Sequence, residues 1–364
     1  MHFFFIFIFA IINIIMNNNK LLGYILAVLA IFFWGITFVC TKSLLNYFSA
    51  LEILFIRFVA AYLGLWLMRP KWAKVAAKDN LLFALAGLTG VVIYQFSENI
   101  AINYTTASNV SVIVSTCPLF TAIISQIFLK EKHINLWFIV GFIFCIFGVT
   151  LVSLNGRTDL SINPKGDLLA LLASISWGFY SMVVSLLNKK GYDSICATRR
   201  IFFFAVILMI PLVLAGVGVN SALQNKGLIA DDGLAGSVIV TLSGAVNKLR
   251  FSKPLNCIYL LFLGLIASGF CFAAWNKACL ELGTVKITKG LYLIPVVTIV
   301  FAFFILGEKI TWMGALGTII TITGLFISEI KRKAPEQTGT AGTPKAADTA
   351  ETTGAVGAIK SVTE

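Results

Sequence analysis

Residues 23–35 read GYILAVLAIFFWG and residues 166–178 read GDLLALLASISWG. Seven of the thirteen positions are identical, and both stretches close on Trp-Gly. The spacing of 143 residues that carries Trp34 onto Trp177 also carries Arg57 onto Arg200. Further along, a longer connection in the second half stretches the spacing to 177. It then sets Asn99 on Asn276, Ala101 on Ala278, Pro118 on Pro295 and Glu131-Lys132 on Glu308-Lys309. Chance agreement among apolar residues would not keep Trp-Gly, Arg, Asn, Pro and Glu-Lys in order, so the chain reads as an internal duplication.

The composition says where such a chain lives. Hydrophobic residues make up 59% of the 364 positions and charged residues only 12%, with a mean hydropathy of +0.92. A soluble domain carries roughly 25% charged residues to keep its surface wet, so this is a polytopic membrane protein. The formal charge of +12 sits in short basic clusters between apolar runs. That is the pattern of cytoplasmic loops and not of a nucleic-acid face, so no nucleic-acid partner is expected. Seven cysteines without a C-x-x-C pair and two histidines, His2 and His133, support neither a disulfide framework nor a metal site, and no cofactor is implied.

Ten spans, each near the ~20 residues needed to cross the hydrocarbon core, can be cut from the chain. They run at 21–42, 50–69, 81–102, 108–129, 135–154, 167–187, 195–216, 255–276, 286–306 and 312–330. Lys and Arg crowd the loop after the second span (Arg69, Lys71, Lys74, Lys78), and recur at Lys130 and Lys132, Lys189 and Lys190, and Lys331 to Lys333. Both termini are therefore expected in the cytoplasm of a cell-membrane protein. Residues 20–154 form a first five-helix repeat, 155–166 an external linker, and 167–330 a second repeat. Five is odd, so the second copy enters the membrane from the opposite side. The fold class expected is all-α: ten transmembrane helices as two inverted repeats around a central cavity. Within the second repeat, 217–254 reads as an external loop insertion. The aperiodic tail 331–364 reads as disordered, and residues 1–19 as an extension, with Met16 the more natural start.

Several motifs resemble those of the EamA-type drug/metabolite transporters. They are WG…K…LEILFIRF and ENIAINYTTASNV…CPLFTA in the first repeat, and SGFCFAAWNKACLELGTVK…YLIPVVT…LGEK, followed by a glycine-bearing last span, in the second. The resemblance covers nearly all of residues 20–330. It implies a ten-helix transporter of small metabolites or amino acids, often an exporter, with a cavity walled by spans 1–4 and 6–9. Spans 5 and 10 then lie at the periphery.

An ionisable group inside a membrane costs roughly 2.5–3.5 kcal/mol on the insertion scale, so each one needs a reason. Arg57 and Glu98 lie at compatible depths. They could line the cavity and engage a charged substrate or a coupling proton, or form a permanent pair holding spans 2 and 3 together. The acid has no copy in the second repeat, where Trp275 stands at its position beside Asn276, so coupling rests on Glu98. Trp34 and Trp177 offer rings beside glycines, and Tyr94 precedes Glu98 by one turn. With Asn99, Asn109 and Tyr292 these complete the cavity candidates. Pro118 and Pro295 break their spans and are hinge candidates. Small faces in span 5 (Gly141, Cys145, Gly148) and span 10 (Gly314, Gly317, Thr321, Gly324) suit close helix packing, within the chain or in a homodimer.

A membrane-embedded enzyme is the rival reading, with a non-transporting receptor behind it. Hydrolysis needs a nucleophile with its base or paired carboxylates. The ten spans hold one carboxylate, Glu98, away from their ends, and no histidine. The expected partners are thus a small-molecule substrate and the lipid bilayer, and no catalytic residue is assigned.

Overall fold

The computed structural model describes residues 19–72, 74–104, 107–131, 134–154, 164–226, 250–306, 311–328 and 330. The expectations for the N-terminal extension, the linker 155–163, the middle of the insertion, the tail, and Lys132, Glu308 and Lys309 fall outside these residues. Twelve helices order the described chain, and no strand occurs among the described residues. They are α1 (Asn19–Leu44), α2 (Ala50–Met68), α3 (Ala77–Tyr104), α4 (Ala107–Val114), α5 (Cys117–Phe128) and α6 (Leu136–Leu154), then α7 (Pro164–Asn188), α8 (Ser194–Lys226), α9 (Pro254–Leu282), α10 (Thr284–Thr288), α11 (Ile294–Leu306) and α12 (Trp312–Ser328). Six of them, α1, α2, α3, α7, α8 and α9, are long and apolar enough to cross a membrane, and α5, α6 and α12 are shorter apolar helices.

Local sequence explains most boundaries. Ser49 caps α2 in a full capping box with Glu52, whose carboxylate returns a bond to the Ser49 N–H. Pro164 opens α7, where its missing N–H is no loss. Gly283, at φ +89°, ends α9 in a conformation that only glycine adopts cheaply. Pro118 and Pro295 each sit in the first turn of a helix, α5 and α11, that restarts after an interruption. The break before α5 is a turn at Ser115 and Thr116, and the break before α11 is a 3₁₀ segment, Lys289–Leu293. One boundary differs from the sequence reading. Helix α8 continues to Lys226, so residues 217–226 of the expected external loop are helical. That extension ends in ALQNK, all but its asparagine good helix formers.

Packing follows the sequence repeat, each helix corresponding to the one six places later. Helix α1 packs on α9 as α7 packs on α3, and α1 on α11 as α7 on α5. Likewise α2 packs on α9 as α8 on α3, while α2 with α8 and α6 with α12 form the self-matching pairs. The correspondence reaches single residues. A Cβ on Gly35 would come within 2.5 Å of Val297, and one on Gly178 within 2.8 Å of Ile124 and 3.0 Å of Phe120, the residue matching Val297. Both α3 and α9 carry a π-helical stretch at matching places, Leu88–Ile93 and Phe262–Phe270. The small faces of α6 and α12 cover each other: a Cβ on Gly148 would lie 2.5 Å from the Thr321 backbone nitrogen. Large apolar side chains such as Val28, Leu63, Ile143, Phe147 and Phe326 are exposed on the outside, as a lipid-facing surface requires.

Candidate functional site

The repeat brings its two signature tryptophans together. Trp34 of α1 and Trp177 of α7 meet edge to face with ring centroids 5.6 Å apart. Phe272 lies 5.5 Å from Trp34 and 6.0 Å from Trp177, and Tyr94 lies 4.9 Å from Trp177. Around these rings is a narrow cavity with about 30 Å³ of open space. Trp34, Thr37, Phe38, Arg57, Tyr94, Gln95, Glu98, Ser111, Val114, Ser115, Trp177, Phe272, Leu291 and Ile294 line it. The wall is aromatic and the polar groups are few, which is the usual make-up of a small-molecule site.

Arg57 is 2% exposed. Its Nε donates to Ser268 Oγ of α9 and its Nη1 to Gln95 Oε1 of α3, both at 2.8 Å. The close approach of α2 to α9 that permits this depends on Gly264, where a Cβ would meet Ala60 at 2.7 Å. Two neutral acceptors hold the guanidinium, and its remaining N–H groups stay uncommitted among the described residues. Glu98 is equally buried, at 7% exposure. A side-chain hydrogen bond joins it to Tyr94, one turn earlier on α3, and no ion pair joins it to Arg57 among the described residues. The permanent Arg57–Glu98 bridge considered from sequence is not formed among the described residues: Arg57 spends its bonds on Ser268 of α9 and Gln95 of α3 instead. Both charges border one cavity, so their sum there is zero.

The twin tryptophans differ in one respect. The Trp34 indole N–H donates to the Ala267 carbonyl at 2.9 Å, within the π stretch of α9. The Trp177 N–H is buried and has no acceptor. In the π stretch of α3, the Thr89 carbonyl, one residue from the position matching Ala267, takes the Ser176 hydroxyl at 2.7 Å. Ser176 stands where the first repeat has Phe33.

The remaining sequence candidates fall behind the wall. Asn99 reaches the Ala50 carbonyl at 3.5 Å. Asn276 accepts from Tyr180 and donates to Thr198, at 2.8 and 2.9 Å. Trp275 stacks on Trp34, 5.1 Å away, and Tyr292 is buried beside the lining residue Leu291. The side chain of Asn109 lies outside the described residues. Pro118 and Pro295 adjoin the interruptions between α4 and α5 and between α10 and α11. Ser111, Ser115, Gln95 and Phe272 joined the lining without a sequence signal of their own. A serine or glutamine in an apolar span looks alike on every face of a helix.

Polar clusters lie at two helix-end regions. Arg250 contacts Glu52 at 2.7 Å and stacks on Phe48 and Phe251, 4.9 and 5.2 Å from the ring centroids, while Lys253 donates to Tyr47 at 2.7 Å. The second cluster joins Arg69 to Asp193 at 3.3 Å and Lys190 to Asp79 at 3.2 Å, with Tyr192 donating to Asp79 at 2.6 Å. That hydrogen bond raises the Tyr192 phenol above its ordinary range, so it remains a donor at neutral pH. Arg199 joins the second cluster by donating to the Arg69 and Lys71 carbonyls. The α1–α2 loop and the first turn of α2, with the segment before α9, make the first cluster. The α7–α8 loop and the first turns of α8, with the segment before α3 and the first turn of α3, make the second.

Residues 21–154 and 164–329 each match the EamA-like transporter family, one match per repeat. The chain belongs to that family. Among its relatives, an "Uncharacterized transporter" of Archaeoglobus fulgidus is 26% identical over 320 residues, covering 86% of this chain and 99% of the relative. The "Uncharacterized transporter YoaV" of Bacillus subtilis is 26% identical, covering 81% and 92%. A "Probable terminal-alkyne amino-acid exporter" of Streptantibioticus cattleyicolor is 24% identical, covering 74% and 78%. A solved crystal structure superposes with a TM-score of 0.60 at 15% identity, covering 85% of this chain and 95% of that one, which speaks for the fold alone. The family and the relatives' names are those of multi-pass membrane transporters of the drug/metabolite kind.

Proposed function

We propose that the protein is a secondary transporter that exports small metabolites such as amino acids across the cell membrane by alternating access. In this reading ten spans form two inverted repeats, and both termini are cytoplasmic. The observation that carries it is the exchange of packing partners between the repeats around one shared cavity. An element with two equivalent halves has two equivalent ways to open. The polar clusters at Glu52–Arg250 and Arg69–Asp193 then serve as the two gates, each the counterpart of the other. With both gates formed, the central site is closed to each side. The amino-acid part of the proposal leans on the Streptantibioticus relative, whose printed name is that of an amino-acid exporter. Proton coupling is assigned to Glu98, a buried carboxylate on the cavity wall whose hydrogen-bond partner is the neutral Tyr94 and not a cation.

Counterflow and uptake in proteoliposomes, with an amino-acid and metabolite panel and with or without a pH gradient, test the proposal. Saturable counterflow of at least one compound is expected, with gradient-driven accumulation lost in Glu98→Gln. No counterflow of any compound would remove the transport reading. Unaltered gradient-driven accumulation in Glu98→Gln would remove the coupling role.

A further inference from the structure

The two repeats place their tryptophans alike but leave them in different chemical states. Trp34 is fully committed: Ala267 takes its N–H, and Trp275 covers its ring at 5.1 Å. The Trp177 ring is covered as closely, by Tyr94 at 4.9 Å and Tyr180 at 5.0 Å, but its donor is not committed among the described residues. Its N–H is buried without an acceptor, and the position that would match Trp275 in the first repeat is Glu98. Both Trp177 and Glu98 line the cavity. A buried donor with no acceptor is destabilising, and natural proteins keep one where something else supplies the acceptor.

We infer that Trp177 is a specificity-determining residue whose indole N–H binds an acceptor oxygen of the transported molecule, while Glu98 takes that molecule's positive group. This rests on the transport reading above. The ligand class follows from charge. Arg57 and Glu98 border the cavity with opposite signs, so a net-neutral ligand carrying both an ammonium and a carboxylate preserves the balance. A plain amine leaves the Trp177 donor and the spare Arg57 N–H groups unanswered. A plain carboxylate leaves Glu98 unanswered. The rings of Trp34, Trp177, Tyr94 and Phe272 offer the ligand's apolar part a flat wall.

The substitution that separates the repeats is Phe33 against Ser176. In the second repeat the Ser176 hydroxyl occupies the carbonyl next to the position that would otherwise accept the tryptophan N–H.

Binding of the twenty proteinogenic amino acids, and of the decarboxylated amine of each one that binds, is measured by calorimetry on the full chain in detergent. At least one amino acid is expected to bind, and more tightly than its amine. Trp177→Phe should weaken the amino acid by about tenfold or more, as expected for a lost hydrogen bond to a charged group, and its amine by less than about twofold on the same scale. Trp34→Phe should change both affinities by one common factor, since its N–H is already spent on Ala267. Equal weakening of amine and amino acid by Trp177→Phe would overturn the inference. So would wild-type binding of the amine as tight as that of the amino acid, or no amino-acid binding at all. The wild-type comparison decides even if a variant does not fold. Counterflow run in parallel keeps the two readings apart. The expected binding pattern without counterflow refutes transport alone. Counterflow of a molecule with no acceptor oxygen, untouched by Trp177→Phe, refutes this inference alone.

Discussion

The pairing of Arg57 yields a sharp prediction, because two geometries give opposite answers. If Arg57 and Glu98 formed a direct buried bridge, removing the carboxylate would strand a charge and cost roughly 3–5 kcal/mol. The structure instead gives the guanidinium two neutral acceptors, Gln95 and Ser268, each at 2.8 Å. Glu98→Gln should therefore cost clearly less stability than Gln95→Leu, because the charge it removes lies near Arg57 without being bonded to it, and an amide oxygen can still accept from Tyr94. Gln95→Leu removes an acceptor from a cation 2% exposed and should cost about 1.5–3 kcal/mol, the range for hydrogen bonds to charged groups. At roughly 1.3 °C per kcal/mol for a chain of 364 residues, that is a Tm loss of roughly 2–4 °C. The triple variant Arg57→Met/Gln95→Leu/Ser268→Ala removes charge and acceptors together and should return to within about 1 kcal/mol of the parent. Thermal unfolding of the purified protein in detergent reads all three. The reasoning fails if Glu98→Gln destabilises as much as Gln95→Leu, or if the triple variant is no better than the single one.

Two further outcomes follow from contacts elsewhere. Gly148→Ala places a Cβ 2.5 Å from the Thr321 backbone nitrogen, so α6 and α12 must separate at a cost of about 1–3 kcal/mol. A lower Tm in the same detergent assay checks it, and an unchanged Tm would contradict the close approach. Arg250→Met removes the Glu52 contact and both ring contacts of the first polar cluster. A cysteine placed at Ser115, on the cavity wall, should then react several-fold faster with a membrane-impermeant thiol reagent added from the external side. An unchanged rate would deny that cluster a gating role.

How far the sequence reaches can be read from particular residues. The repeat, its pairing of Trp34 with Trp177 and the need to explain Arg57 and Glu98 are all visible in the chain, because they rest on order and on the cost of charge in lipid. The breaks at Pro118 and Pro295 are equally local, since proline lacks the donor that a continuous helix needs. The length of α8 was not legible, because Pro211 and a run of glycines suggest an end that helix formers further on override.

The site divides along the same line. Sequence alone determined that the molecule has two like halves, what class of environment it occupies, and which charged residues lie at what depth. Only the tertiary structure decided that Arg57 faces Ser268 and Gln95 and not Glu98, that Trp34 is sealed by Ala267, and that Trp177 is left with a free donor. Depth along a helix is counted in residues, at about 1.5 Å each. The direction a side chain faces turns by about 100° at every residue, and which neighbour stands there is set by how helices distant in sequence pack.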